Sequence, residues 1–378
     1  MNHGFQTGMI RGAETRLRKV TGFFVLAVAA CAVAFVVIEG ASSAVLFLHD
    51  GLFLPSPVFP RSYVIKYDEL LGWTNTPNSV AEGTFGPGTR VTINSQSFRA
   101  RTDYSLQVPS GKVRIICSGD SFTFGSEVSD EDTWCHQLTQ IEPQLETINM
   151  GQGGYGVDQS YLRYKRDGRP FQHDIHLFVF ITENFQRMRS NRFGFYGKPT
   201  VHVENGSLTV KDVPVIKHPY FVRVFLGLSS EISRLRSVEL GKAVVRRVSD
   251  SSPQQGDVSD ERVRSTALRV IEELYRLNRE KQSVLVLVYL PIATDYFKAD
   301  SNPWRRYFRS GVLDRAIPFV DVVEKFRSLP AEQVESLYVR PWNGHFSPKG
   351  NQYVAKVLHE RLVAIPQIAE KLGKASIR

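Results

Sequence analysis

The sequence has little cysteine: three residues in 378, at Cys31, Cys117 and Cys135. An odd and sparse count makes no disulfide framework, and no Cys/His spacing suits a zinc site. Internal repeats and low-complexity tracts are also lacking, which excludes solenoids and fibrous classes. The apolar share of 42% and charged share of 22% are those of a globular protein, long enough for one large domain or two small ones. No nucleic-acid module is recognisable. The net charge of +9 suits an anionic surface such as lipid head groups or acidic polysaccharide, or else marks a generic basic domain.

The sharpest local absence is of charge between Val20 and Ile38 (VTGFFVLAVAACAVAFVVI). A run of about 20 apolar residues crosses the hydrocarbon of a bilayer, and no polar face exists in this one. Arg11, Arg16, Arg18 and Lys19 precede it, while Glu39 and Asp50 follow. Positive charge before a first span holds the N-terminus in the cytoplasm. The expectation is a single-pass anchor at 20–38 behind a basic cytoplasmic segment 1–19, with the rest of the chain outside the cytoplasm. A cleaved leader is the alternative: its apolar core is usually about 7–15 residues, and Ala41–Ala44 offers small residues for cleavage. Export also argues against a nucleic-acid partner.

Residues 39–110 read as a linker and an irregular, turn-rich lead-in with short strand-like pieces such as Arg90–Ile93. Beyond it, buried-type strands are expected at Val113–Cys117, Glu146–Asn149, Ile175–Ile181, Val284–Leu290 and Phe319–Val322. Helices are expected at Asp132–Gln140, Asp158–Lys165, Arg262–Arg279 and Gly350–Ile365, the third capped by Ser259 or Asp260. Strands alternating with helices imply an α/β fold with a parallel, doubly wound sheet over 111–368. An insertion at about 186–258 interrupts it. Asn205-Gly206 there predicts a hairpin between Thr200–Val203 and Ser207–Val210, and Ser249–Asp260 reads as a surface loop.

Four stretches carry chemistry. Ser118–Gly125 (SGDSFTFG) follows the first strand, where a Gly-Asp-Ser turn would put the Ser121 hydroxyl at the ligand-binding edge of a parallel sheet. It lacks the Gly-x-Ser-x-Gly pattern of the α/β-hydrolase elbow, and alone it is three ordinary turn residues. Asn149–Gln159 (NMGQGGYGVDQ) follows the second strand. Its Gly151, Gly153 and Gly156 satisfy the dinucleotide fingerprint Gly-x-Gly-x-x-Gly. Against that reading, this is the second βα unit, and the acid about 20 residues on, Asp174, precedes the next strand. The other use of such a turn is a bare backbone N–H brought close to a site. Asn184, closing the third strand, offers a side-chain amide or a helix cap. His345, in Asn343–Gly350 (NGHFSPKG), offers a base or a solvated loop histidine.

A Ser, a Gly turn, an Asn and a His after successive strands, in that order, resemble the SGNH (GDSL) hydrolase family, in its membrane-anchored bacterial form. Gly119-Asp120-Ser121 resembles the first block, Gly154 the second-block glycine, Asn184 the third-block asparagine and His345 the fifth-block base. Leu71–Trp73 and Ile93–Arg99 also resemble anchored members. The resemblance implies a three-layer, flavodoxin-like sheet, Ser121 as nucleophile, His345 as base, and an oxyanion hole from the Ser121 and Gly154 N–H groups and the Asn184 amide. Two departures stand out. The family places Asp two or three residues before the His, where this chain has Asn343 and Trp342; Asn343 is then the orienter in place of Asp, as in Cys-His-Asn proteases. The third block reads Thr182-Glu183-Asn184-Phe185 instead of Gly-x-Asn-Asp.

The resemblance implies a serine esterase or O-acetyltransferase working through an acyl-enzyme, needing no cofactor or metal. It implies acylated carbohydrate as substrate, the bacterial inner membrane as location and polysaccharide-export proteins as partners. Trp304, Tyr196 and Trp342 are candidates for a carbohydrate-binding lip or for core packing. The rivals are a catalytically impaired polysaccharide-binding or assembly protein that kept the fold, for which Asn343 argues, and a dinucleotide enzyme.

Overall fold

The computed structural model of the chain describes residues 21–42, 64–83, 85–193, 196–216, 254–297, 303–313, 317–340 and 343–375. The first described element, helix α1 (Thr21–Ser42), is 22 residues long and apolar enough to cross a membrane. At 1.5 Å per residue it is about 33 Å long, enough for a hydrocarbon core of about 30 Å. Its large apolar side chains, among them Phe23, Phe24 and Leu26, are exposed.

The main unit is built on five parallel strands: β1 (Val113–Ser118), β2 (Leu145–Asn149), β3 (Ile175–Phe180), β4 (Val284–Tyr289) and β5 (Phe319–Asp321). Their order across the sheet is 2-1-3-4-5, the flavodoxin-like arrangement, in which ligands gather at the carboxyl ends of β1 and β3 where the order reverses. β1 and β3 are buried along their whole length, as befits unbroken β-branched and aromatic runs covered on both faces. Alternation sorts their side chains. Ile116, Phe178, Phe180, Leu285 and Leu287 join one core with Val263, Ala267, Val270, Ile271 and Leu274. Ile115, Cys117, Leu177, Val179, Val286 and Val288 join the other with Trp134, Leu138, Val354 and Leu358. These cores make the sheet the middle of three layers.

The helices that bear on the site are the four-residue α2 (Ser121–Phe124), α3 (Trp134–Ile141), α4 (Val157–Arg163), α5 (Thr182–Arg187), the long α6 (Gln254–Glu280) and, near the end, α7 (Pro348–Val363). One expectation fails here. Helix α6 begins at Gln254, so 254–260 are helical and Ser259 and Asp260 lie inside the helix; 249–253 fall outside the described residues. The buried stripe Val263, Ala267, Val270, Leu274 and Leu277 sets a helical register that Asp260 extends by pairing with Arg189. The expected hairpin forms at Thr200–Glu204 and Ser207–Lys211, with Asn205 and Gly206 at φ +50° and +75°, as a type I′ turn requires. The lead-in is more regular than expected. It folds into two antiparallel hairpins, Ile65–Asp68 with Gly72–Asn75, and Ser79–Glu82 with Arg90–Ile93.

Candidate active site

β1 runs into the turn that presents Ser121. Gly119 leaves no room for a side chain, since a Cβ there would lie 2.2 Å from Thr123 Oγ1 and 2.8 Å from the Val179 carbonyl. Asp120 caps α2, its Oδ1 accepting from the Phe122 N–H at 3.0 Å. Ser121 is the first helical residue, buried at 8% exposure. Its backbone N–H meets no acceptor among the described residues.

The glycine turn after β2 lies directly against α2. Asn149 Nδ2 donates to the Thr123 carbonyl at 2.9 Å, and the Gln152 N–H to the Gly119 carbonyl at 3.1 Å. A Cβ on Gly151 would sit 2.0 Å from Phe124 N, and one on Gly154, at φ +82°, 2.5 Å from the Phe193 ring. The room that Gly151, the first glycine of the fingerprint, leaves is thus taken by the protein's own α2 backbone, and that beside Gly154 by Phe193, while Gly153 faces open space. The Gly154 N–H also meets no acceptor among the described residues.

Asn184 does something other than expected. Its Oδ1 accepts from the Ile181 N–H at 2.7 Å, and its Nδ2 donates to Asp120 Oδ2 and to the Tyr155 carbonyl, both at 2.9 Å. An amide has two hydrogens, and both are committed, so the side chain ties the first two blocks together and is no free oxyanion donor. Arg187 reinforces the tie, reaching Asp120 Oδ2 and the Tyr155 carbonyl at 2.9 Å each, with its guanidinium 5.2 Å from the Phe193 ring centroid.

His345 stands on an antiparallel hairpin, Tyr338–Arg340 with Asn343–Phe346. Its ring packs on Phe122, centroids 4.9 Å apart, beside the Ser121 turn. Ser121 and His345 make no hydrogen bond in this state; in uncomplexed sites such bonds are often long and tighten with substrate. The ring's Nδ1 lies 3.1 Å from Glu127 Oε2, and the same oxygen accepts the His345 backbone N–H at 2.9 Å. The other carboxylate oxygen, Oε1, takes Arg340 Nη2. Burial alone would push the Glu127 carboxyl up, but the His345 ring and backbone hydrogen bonds, the imidazole charge and Arg340 hold it down to about 2. Such a carboxylate only accepts, so in the neutral ring the imidazole hydrogen belongs on Nδ1 and Nε2 is left bare, the tautomer of a general base. Glu127 thus fills the position expected of Asn343, whose backbone pairs with Arg340 but whose side chain is outside the described set.

Glu127 went unread because 218 residues separate it from His345. The available signal was negative: an imidazole without its usual Asp needs another acid, and the nucleophile's own loop carries four, Glu127, Asp130, Glu131 and Asp132. Among the lip candidates, Trp304 is buried and stacked on Phe185 at 5.1 Å, so it is core, and Trp342 lies outside the described residues. Tyr196 is 39% exposed beside Phe193 at 40%, both ringed around the buried Trp73 at 5.4 and 5.9 Å. A second Ser–His hydrogen bond, Ser118 Oγ to His176 Nε2 at 2.8 Å, is wholly buried and braced by Asn278. Burial pushes the His176 imidazole well below its ordinary value, and no substrate reaches it.

No protein-family model and no curated protein matches the chain. Solved structures do overlap it. A lipolytic protein of the G-D-S-L family from Veillonella parvula aligns at 11% identity and TM-score 0.39 over 67% of this chain and 100% of its own. An acetyl xylan esterase aligns at 14% and 0.38 over 66% and 98%, and a lipase/acylhydrolase from Enterococcus faecalis at 12% and 0.37 over 69% and 96%.

Proposed function

We propose that this chain is a serine ester hydrolase of the SGNH type, anchored by α1, with Ser121 as nucleophile and His345 as base. The observation that carries the reading is an imidazole whose Nδ1 rests on a carboxylate while its face packs on the residue after Ser121. His345 Nε2 takes the Ser121 hydroxyl proton as Oγ attacks an ester carbonyl. The Ser121 and Gly154 N–H groups receive the developing oxyanion, the kind of stabilisation that is worth roughly 10²–10³ in turnover per donor. The alkoxide leaves with the proton from His345, and water then resolves the acyl-enzyme; a sugar hydroxyl in place of water would make the same site an O-acyltransferase. The substrate class proposed is acylated carbohydrate at the outer face of the bacterial inner membrane, in company with polysaccharide-export proteins. The exposed rings of Phe193, next to Gly154, and of Tyr196 supply stacking surface that suits a sugar. Against the non-catalytic reading stands the Glu127 carboxylate at His345 Nδ1, where that reading expects no acid.

The test is chemical. A fluorophosphonate probe should label the full chain at Ser121, identified by mass spectrometry, and Ser121→Ala should abolish both labelling and hydrolysis of a chromogenic acetyl ester. Labelling at a different residue, or equal slow hydrolysis by wild type and variant, would refute the proposal.

A further inference from the structure

We infer that Glu127, carried on the loop that follows the nucleophile, is the positioning acid of the Ser121–His345 pair, and that Arg99 holds that loop in place for it. The inference rests on the esterase reading and adds to it residues that the resemblance does not assign. Four observations converge. The carboxylate spans Arg340 and His345, one oxygen to each, so its rotation is fixed with Oε2 against the imidazole. The backbone of Glu127 is left-handed at φ +73°, a conformation that glycine fills more readily than a long side chain, so the contacts of its carboxylate offset a backbone cost. The partner backbone is cut away to admit it, since a Cβ on Gly344, at φ +80°, would lie 2.9 Å from Glu127 Oε2.

The fourth observation is the clamp. The buried Arg99 guanidinium donates to the carbonyls of Phe124 at 2.8 Å and Val128 at 2.7 Å, to that of Gly125, and to Asp130 Oδ1 at 3.1 Å. These acceptors bracket Glu127 on both sides. The Arg90 N–H to Ser129 Oγ and Thr92 N–H to Asp130 Oδ1 bonds, both 3.1 Å, pin the same loop to the lead-in hairpin. During reaction the proton moves from Ser121 Oγ to His345 Nε2; Nδ1 keeps its own, and Glu127 remains a carboxylate throughout.

The experiment uses the full chain in detergent micelles, with p-nitrophenyl acetate turnover, fluorophosphonate labelling and ¹⁵N-histidine NMR. Glu127→Gln should lower kcat by up to about 10⁴-fold, the scale of an Asp→Asn change in a serine-protease triad, with KM within about twofold. Glu127→Gly, whose backbone accepts the left-handed turn without strain, should fold and lose turnover equally. Glu131→Gln, an exposed acid on the same loop paired with Arg101, should stay within about twofold of wild type. The wild-type His345 should carry its hydrogen on Nδ1, and Glu127→Gln should lose that preference. Turnover by Glu127→Gln within threefold of wild type, or a wild-type His345 with its hydrogen on Nε2, would overturn the inference. A wild type that leaves Ser121 unlabelled would instead defeat the esterase reading, and the NMR tautomer would still decide whether Glu127 sets the ring.

Discussion

A glutamate in the left-handed region costs of order 1–3 kcal/mol, and Glu127 holds that conformation because its surroundings over-determine it: Arg340 and His345 take its carboxylate while Arg99 grips the carbonyls around it. The same contacts give its titration a defined sign. Its carboxyl lies at about 2 in the folded chain against an ordinary 4.5, so folding favours the ionised form. That contribution is fully present above about pH 4.5 and is lost as pH falls toward about 2, where folded and unfolded states bind the proton alike. Wild type should therefore lose stability across this window by an increment that Glu127→Gln lacks. Paired thermal melts between pH 6 and pH 2 would show it, and parallel curves for the two proteins would contradict it. At pH values where esters are assayed Glu127 stays ionised, so the low-pH limb of the rate profile reports a different group. Asn184 teaches a related lesson. Block order assigns its amide to the oxyanion, but in the fold that amide is spent, together with Arg187, on the buried Asp120 carboxylate and the Tyr155 carbonyl, and buried acceptors of this kind are costly to leave unmet.

At the scale of elements, the five strands were legible because fully buried parallel strands are short, β-branched and bounded by turns, which is a local property. The placement of Ser121 and Gly154 just after β1 and β2 is legible for the same reason, whereas His345, expected in a loop, stands on a short hairpin. What stayed hidden was cooperation between elements distant in sequence. The lead-in, read as irregular, is the buttress of the site. Trp73 Nε1 donates to the Gly153 carbonyl at 2.9 Å and Gln159 Nε2 to the Leu71 carbonyl at 2.8 Å, fixing the glycine turn, while Arg99 and Asp130 fix the loop of Glu127. No periodicity announces such contacts. The α6 start escapes the sequence for the opposite reason: Gly256, Asp257, Ser259 and Asp260 are turn residues by propensity, and a helix stabilised by the core stripe farther along takes them in from Gln254. Arg99→Lys tests the buttress. Lysine keeps the charge but lacks the fork that reaches three carbonyls and a carboxylate together, so unfolding should cost about 1–3 kcal/mol less in denaturant titrations. Its kcat should also fall, with KM little changed, because the acid rides on the loosened loop. A variant that is destabilised yet turns over at the wild-type rate would show that the clamp serves only the fold.

For the whole molecule, two features bear on whether the chain attaches to a membrane, and they are physically separable. Helix α1 is 22 residues long and apolar enough to cross a membrane, and the chain carries a net charge of +9. Attraction of a basic surface to anionic head groups is screened as salt rises, with a Debye length near 3 Å at 1 M. A spanning helix is indifferent to salt, because each residue's transfer is set by hydrophobicity and internally satisfied backbone. If α1 anchors the chain, the full-length protein in a bacterial host should stay with the membrane pellet through 1 M salt and alkaline carbonate and come free only in detergent. Its N-terminal peptides should still be present by mass spectrometry. Release by salt would leave the basic surface as the sole attachment. A mature N-terminus near Ala41–Ala44 would make the apolar run a leader that is removed, and the acyl-transfer site would then act free of the membrane that the proposed substrate class assumes.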